Sequence, residues 1–184
     1  MKTDITQVLV EEHHLIMRMI TLLEKNAPMT EVGSYLNWQF YLDGVDFIRN
    51  YADSFHHAKE EDILFKALVE NGMPKENSPV AAMLMEHDQG RGYVRAMEAA
   101  VQEVQIGRTD IYQIIADNAL GYAALLRDHI SKENDILYPL SERVLPESMR
   151  EGIIQGYKNS VAKTPVGFSE YYLKIIKQYE QEEI

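Results

Sequence analysis

The sequence contains no cysteine among its 184 residues. This absence excludes disulfides, thiolate metal sites, iron–sulfur clusters held by the chain and cysteine nucleophiles. Any metal ion must therefore be bound by histidine and carboxylate side chains. The sequence also lacks an apolar run of about 18 residues, the length from which a transmembrane helix is predicted.

Positive charge is scarce as well, since 18 lysines and arginines face 29 aspartates and glutamates, a net charge of −11. Binding to nucleic acid or to an anionic membrane needs a basic surface, so we expect neither as a partner. The stretch MKTDITQVLVEEHHL lacks the apolar core and cleavage site of a secretory signal peptide. A cytoplasmic location is therefore expected.

Apolar residues recur with the 3.6-residue period of amphipathic helices, and strand-like alternation is rare. Four helices are predicted. The first ends at Pro28, and the second runs from an N-cap at Ser34 to about Gly72. The third runs from about Pro79 to Ile106, and the fourth follows the turn GRTD and ends near Pro139. Short connections favour an all-α, up-down-up-down four-helix bundle over residues 1–140. Residues 141–184 are expected to form a C-terminal helical extension that packs on the bundle or on a partner chain.

An internal repeat relates the second predicted helix to the fourth. The stretches KEEDILF (59–65) and KENDILY (132–138) match almost residue for residue, and a histidine precedes each by three positions. The HxxxE pair His56 and Glu60 therefore corresponds to His129 and Glu133. In a helix, this spacing places the imidazole and the carboxylate on one face, one turn apart.

The first and third predicted helices repeat too, because LVEEHH (9–14) resembles LMEHD (84–88) and aligns His13 with His87. His13 precedes His56 by 43 residues, and His87 precedes His129 by 42. Alternating helix directions would bring the four histidines and two glutamates to one level, within roughly 5–8 Å along the bundle axis.

A single histidine on an apolar stripe is usually a core residue, but four histidines with two glutamates at one level favour a metal site. Two buried carboxylates without partners are costly, and Arg91 is the one basic residue placed to pair with them. Six nitrogen and oxygen ligands exceed a zinc tetrahedron and suit two first-row ions bridged by carboxylate and by oxide or hydroxide. Imidazole with carboxylate favours non-heme iron, as Fe2+ or Fe3+, with manganese and zinc as alternatives.

The ordered pattern H…HxxxE…H…HxxxE resembles the hemerythrin-like, or HHE cation-binding, family. The phrases VEEHHLI, HHAKEEDILF, MEHDQGRGYVRAM and HISKENDILYP are similar to that family's helices, in order, over about residues 5–140. The resemblance implies a metal-ligand set of His13, His56, Glu60, His87, His129 and Glu133. It also implies that Glu60 and Glu133 bridge the two ions.

Two positions depart from the oxygen-carrying members of the family, because Arg91 and Asn134 replace a histidine and an aspartate. One iron then has one fewer protein nitrogen, so a more open site for water, O2, peroxide or NO is expected. Residues beside the ligands are candidates for supporting contacts: His14, His57, Glu61, Arg91 and Tyr122.

The favoured function is a di-iron protein that binds O2 or NO for sensing, scavenging or iron handling. The alternative is a di-iron enzyme that acts on peroxide or oxygen, and a third option is an inert structural metal site. No catalytic residue is predicted. A homo-oligomer through the C-terminal extension is a further expectation.

Overall fold

Every regular element of the chain is helical in the computed structural model, which describes residues 2–182. The elements form six helices: α1 (Gln7–Glu31), α2 (38–70), α3 (Pro79–Gln105), α4 (112–144), α5 (Glu147–Val161) and α6 (Phe168–Glu180). Within residues 2–182, none of the helices has the length and apolar character that crossing a bilayer requires. The predicted bundle begins at Met1 and the predicted extension ends at Ile184, and residues 1, 183 and 184 lie outside the described part of the chain.

Two of these helices, α2 and α4, change from α-helical to π-helical hydrogen bonding and back. The α-helical segments are Trp38–Phe47 and Phe65–Glu70 in α2, and Tyr112–Lys132 and Tyr138–Val144 in α4. The π-helical segments are Ile48–His57 and Glu60–Leu64 in α2, and Glu133–Leu137 in α4. The π-helical segments Glu60–Leu64 and Glu133–Leu137 occupy the same positions in the two copies of the sequence repeat, and an α-helical segment follows each of them.

The two predicted stops at proline are wrong. α1 continues past Pro28 to Glu31. A proline in the last turn removes only one hydrogen bond, and the burial of Ala27 and Thr30 beside it compensates this loss. α4 continues past Pro139, which stands in the first turn of the segment after the π-helical turn. A proline is tolerated there because its missing N–H has no bond to make.

The predicted N-cap of the second helix is also wrong. α2 begins at Trp38, and the side chain of Asn37 accepts a hydrogen bond from the Phe40 N–H. The Ser34 hydroxyl instead donates to the Met29 carbonyl at the end of α1. By contrast, α3 begins at the predicted Pro79, with Ser78 as its N-cap.

Four long helices, α1 to α4, enclose two apolar cores with a polar layer between them. Along α1, Leu9 belongs to the smaller core and Ile16 to the larger one, and Glu12 and His13 lie between. The same order recurs on the other three helices, where histidine or glutamate separates residues of the two cores: Phe55 and Leu64 on α2, Val94 and Met83 on α3, Ile130 and Leu137 on α4.

The C-terminal helices cover the outside of both cores. α5 contributes Ile153 and Tyr157 to the smaller core, and α6 contributes Tyr172, Ile176 and Tyr179 to the larger one. The hydroxyls of Tyr172 and Tyr179 donate to Asp46 and Asp43 of α2, at 3.0 and 2.5 Å. Apolar burial thus holds α6 on α2, and these two bonds fix its position along that helix.

Candidate metal centre

The glutamates of both HxxxE pairs begin a π-helical turn. The Phe65 N–H donates to the Glu60 carbonyl, and the Tyr138 N–H donates to the Glu133 carbonyl, each five residues back. Such a turn holds one extra residue, and turns of this kind are found frequently at functional sites. The repeat therefore extends from the residue types to the backbone that carries them.

The structure brings the six predicted ligands together in one buried layer. At most 2 % of each is exposed: His13, His56, Glu60, His87, His129 and Glu133. The histidines form two pairs, which we call pair A (His13 and His56) and pair B (His87 and His129). Within each pair, the two Nε2 atoms are 3.0 Å apart.

Each histidine of the two pairs directs its Nδ1 outward, to an oxygen of another helix. The four contacts are His13 to Asn134 at 3.0 Å, His56 to Glu12 at 3.0 Å, His87 to Glu61 at 2.7 Å and His129 to Glu86 at 2.8 Å. Carboxylate and amide oxygens accept these bonds, so the rings donate from Nδ1–H. The lone pairs of the four Nε2 atoms then face one another, an arrangement that is favourable when a cation lies between them.

The two glutamates add oxygens to the same space. Glu133 faces both pairs, because its Oε1 lies 3.2 Å from the His129 Nε2 and its Oε2 lies 3.2 Å from the His13 Nε2. Glu60 Oε2 lies 3.7 Å from the His56 Nε2 and 3.5 Å from the His87 Nε2. All three of these buried oxygens lack a hydrogen-bond partner. Unpaired buried acceptors are costly, so this layer is built to receive positive charge.

Electrostatics in the layer point the same way. Burial raises the pKa of Glu60 well above its ordinary value, and the nearby Glu133 carboxylate raises it further. Burial also opposes the charge on Glu133, but the His129 and His13 rings hold its pKa well below the ordinary value. Burial lowers the pKa of His56 well below its ordinary value, which keeps that ring neutral. Both carboxylates can ionise together only beside a compensating charge.

No lysine or arginine of the described residues pairs with Glu60 or Glu133. The Arg91 guanidinium, the one predicted candidate, donates to the carboxylates of Asp53, Glu61 and Asp88. The Lys59 ammonium is fully buried and pairs with Glu12. Ligand atoms in two groups lie within 4.8 Å of one another and can hold a metal ion: His57, Glu60, His87 and His129 in one group, and His13, His56 and Glu133 in the other.

Two lysine–glutamate–histidine chains surround the layer, and the motifs do not predict them. Lys59 donates to Glu12, which accepts from His56, and Lys132 donates to Glu86, which accepts from His129. The signal was present in the repeat, since a glutamate directly precedes His13 and His87 and a lysine directly precedes Glu60 and Glu133. Its meaning was hidden because each chain joins two helices.

Four of the five predicted supporting residues lie at or near the layer. His57 stacks on His87 at 3.8 Å between ring centroids, and its Nδ1 lies 3.3 Å from Asp53. Glu61 accepts from both His87 and Arg91. Tyr122 is buried on α4 with no partner for its hydroxyl.

The structure does not bring His14 to the layer, and this expectation is corrected. The residue is exposed, because it stands about 100° around α1 from the inward-facing His13.

Tyr138 is a further residue at the layer that the motifs do not predict. Its hydroxyl donates to Glu60 Oε1 at 2.6 Å and lies 3.4 Å from the His13 Nε2. Its ring stacks on that of His13. The repeat contains a signal here too, because the position that corresponds to Tyr138 is Phe65, which has no hydroxyl.

A cavity of about 240 Å³ adjoins the layer on the side of pair B. His57, His87, Asp53, Arg91 and Tyr122 are among the residues that line it. Three of the predicted supporting residues thus share one surface, and His87 connects that surface to the buried layer. A molecule of a few atoms fits in this volume.

The chain is similar to a known protein family. A family model described as the hemerythrin HHE cation binding domain matches residues 4–141, the stretch that contains all six predicted ligands. No curated protein and no solved structure matches the chain.

Proposed function

The chain belongs to the hemerythrin HHE cation-binding family, and from this premise we propose that it holds two non-heme iron ions that bind O2 or NO. One observation carries the proposal. Four histidine Nε2 atoms meet three carboxylate oxygens that have no hydrogen-bond partner. This donor set, buried and free of sulfur, fits first-row ions.

We assign one ion to pair A and the other to pair B. Glu133 directs one oxygen to each pair, and Glu60 Oε2 lies between the pairs, so both carboxylates are assigned as bridges. An oxide or hydroxide would complete the bridge. Bound iron, as Fe2+ or Fe3+, supplies the redox chemistry and the open coordination position that O2 and NO require, and manganese and zinc are the alternative ions.

Access to the layer supports a small ligand. The cavity beside pair B reaches His87 and His57, whereas the smaller core and Tyr138 pack beside pair A. Its volume of about 240 Å³ suits a diatomic molecule or peroxide and is below the roughly 300–1,000 Å³ of sites for larger ligands. Sensing, scavenging and iron handling are all consistent with such a ligand.

Reconstitution with ferrous iron under nitrogen tests the proposal. About two irons per chain are expected, with a new near-ultraviolet to visible absorption when air is admitted. The double variant His56→Ala/His129→Ala should lose this iron, and the exposed His14→Ala variant should retain it. Equal iron in the double variant would refute the assigned site. Removing the oxygen afterwards separates a carrier, in which the absorption reverses, from a sensor or oxidase.

A second function, an enzyme that acts on peroxide or oxygen, is favoured by one contact. The carboxylate of Asp53 orients His57, whose buried ring adjoins His87 and faces the cavity. A histidine held in this way can give or take a proton from a small molecule. Peroxide decomposition that exceeds that of free iron, and that falls in Arg91→Ala and His57→Gln, would support the enzyme.

The third function, an inert structural site, has its own signature in the same assays. The bound metal would then stabilise the fold but would not respond to air, NO or peroxide. The cavity beside pair B argues against this option, because a purely structural ion is usually closed off from small molecules.

The remaining finer features are part of the proposal. Neighbouring helices contact each other at two levels, and the antiparallel order of these contacts supports the up-down-up-down arrangement. The contacts are Glu12 to Lys59 and Thr30 to Tyr41 between α1 and α2, Asp53 to Arg91 and Arg49 to Glu98 between α2 and α3, Glu86 to Lys132 and Gly90 to Tyr122 between α3 and α4, and His13 to Asn134 and Glu24 to Arg127 between α1 and α4. We retain residues 1–140 as the bundle and 141–184 as its extension. A homo-oligomer through the extension, where Val166 and Tyr171 are exposed, and a cytoplasmic location also stay predictions.

A further inference from the structure

We infer that the Tyr138 hydroxyl oxygen is an additional ligand of the metal ion at pair A, so that small molecules bind the ion at pair B. The inference rests on the proposed function, because it requires an ion at each pair. It assigns a role to a buried side chain that the HxxxE motifs do not include.

The position of the Tyr138 oxygen is that of a ligand. Ligands on neighbouring positions of a first-row ion, each about 2.1 Å from it, lie about 3.0–3.4 Å apart. The oxygen lies 3.4 Å from the His13 Nε2 and 2.6 Å from Glu60 Oε1. The 3.4 Å separation is comparable to the 3.0 Å between the His13 and His56 Nε2 atoms and the 3.2 Å from His13 to Glu133, whereas the 2.6 Å separation is that of a hydrogen bond.

The orientation of Tyr138 is held from two directions. Its ring is stacked on that of His13, with 5.6 Å between centroids and 11° between planes, and is otherwise packed in the smaller core. The Tyr138 N–H closes the π-helical turn that begins at Glu133. The hydroxyl therefore cannot leave pair A without moving a bridging residue or opening that core.

The repeat makes the two pairs unequal. The position equivalent to Tyr138 is Phe65, whose ring lies 6.1 Å from that of His87 at pair B and carries no ligand atom. His57 stacks on His87 of pair B and faces the cavity. The equivalent position in the other copy of the repeat is Ile130, which is apolar. A phenol oxygen is thus available at pair A, and open space is available at pair B.

Ligation requires the phenol to lose its proton. The O–H bond breaks as the oxygen binds the ion, and the proton passes to solvent, as is usual when a protonated side chain becomes a metal ligand. Glu60 Oε1, which accepts the hydrogen bond from Tyr138, then becomes free to face the ions. No electron is transferred in this step.

The visible spectrum of the ferric protein tests the inference. Phenolate bound to ferric iron gives a charge-transfer band in the visible region, which a hydrogen-bonded phenol does not give. Wild type and Tyr157→Phe should have the band, because Tyr157 is a buried tyrosine of the same core whose hydroxyl contacts no assigned ligand. Tyr138→Phe should retain about two irons per chain and lose the band.

The outcomes separate this inference from the proposed function. Failure of wild type to bind iron would overturn both, whereas two irons with no phenolate band, or with a band that persists in Tyr138→Phe, would overturn the Tyr138 assignment alone. If Tyr138→Phe does not fold, wild type with ring-deuterated tyrosine replaces it. Resonance Raman bands excited in the visible should then shift, and unshifted bands would overturn the assignment.

Discussion

The lone pairs of four imidazole nitrogens face three carboxylate oxygens that have no hydrogen-bond partner. At the scale of single residues, this arrangement favours cation binding at the cost of the stability of the protein without cations. Sites of this kind commonly trade stability for function.

Glu60→Gln should therefore have opposite effects with and without metal. Burial and the Glu133 carboxylate raise the pKa of Glu60 well above its ordinary value, and an uncharged amide avoids that cost, so the chelator-treated variant should be more stable by about 1–3 kcal/mol. Its iron content should fall, because one bridging carboxylate is lost. Urea unfolding with chelator and metal analysis measure the two effects, with the exposed Glu11→Gln as control. A less stable chelator-treated variant would contradict this explanation.

Glu12 and Glu86 occupy equivalent positions in the repeat, and each accepts a hydrogen bond from one histidine and one lysine, but the two lysines differ in their exposure to solvent. Glu12→Gln and Glu86→Gln should each lower iron affinity about 10–100-fold, because each loosens the histidine that donates to it. Lys59 is fully buried over the Phe55 ring, whereas 38 % of Lys132 is exposed. Losing the partner of a buried charge costs about 3–5 kcal/mol, and solvent compensates an exposed one at about 0–1 kcal/mol.

Thermal unfolding of the two chelator-treated variants measures this difference. Glu12→Gln should unfold at a clearly lower temperature than Glu86→Gln. Equal melting temperatures would mean that Lys59 is a neutral amine in the folded protein or that solvent reaches it.

At the scale of elements, the π-helical turns place the glutamates without changing the helix register beyond them. A π-helical turn accommodates one extra residue, so the i to i+5 bond from Phe65 to Glu60 becomes an ordinary i to i+4 bond when one residue is deleted. Deletion of the exposed Asp62 should thus leave Phe65 in the smaller core. It should, however, move Glu61 away from the Nδ1 of His87.

We therefore expect the Asp62 deletion to unfold cooperatively near the wild-type temperature but to bind iron more weakly. Deletion of Lys66, which is exposed and lies in a regular α-helical segment, is the matched control. It rotates the buried Leu68 by about 100° and should lower the melting temperature much more. The same loss in both deletions would show that the turn is not an insertion in the register.

At the scale of the whole molecule, the polar layer lies between two apolar cores that do not need it. The larger core includes fully buried residues such as Phe47 and Met97, and the smaller core includes Leu9 and Leu64. Apolar burial is the main source of folding free energy. The chain should therefore fold without metal, unlike small domains that metal alone holds together.

Removal of metal with a chelator should leave the far-ultraviolet circular dichroism helical and the unfolding cooperative. Adding ferrous iron back without air should raise the melting temperature by mass action, since iron binds the native state. The double variant His56→Ala/His129→Ala controls for non-specific effects of iron and should not respond. A chelator-treated chain that loses its helical signal would indicate that the cores depend on the metal layer.

Much of the fold followed from local pattern. Helix period, the repeat and the starts of loops predicted an all-helical chain, and the family match confirms the resemblance drawn from the HxxxE pairs. The stop signals at Pro28 and Pro139 failed because buried neighbours in one case and a π-helical turn in the other compensated the missing N–H. Asn37 rather than Ser34 caps α2 because the Ser34 hydroxyl donates to the Met29 carbonyl at the end of α1, and α2 begins only after that turn.

The sequence by itself determined which donor atoms are available and on which helical stripe they lie. Without cysteine, with two HxxxE pairs and with two further histidines at matching spacing, only nitrogen and oxygen ligation was open to the chain. Only the tertiary structure decided which ring nitrogen faces inward, that the Tyr138 hydroxyl reaches the layer, and that the cavity lies beside pair B. The physical reason is that these features depend on contacts between helices distant in sequence, whereas stripe and spacing depend on the period of a single helix.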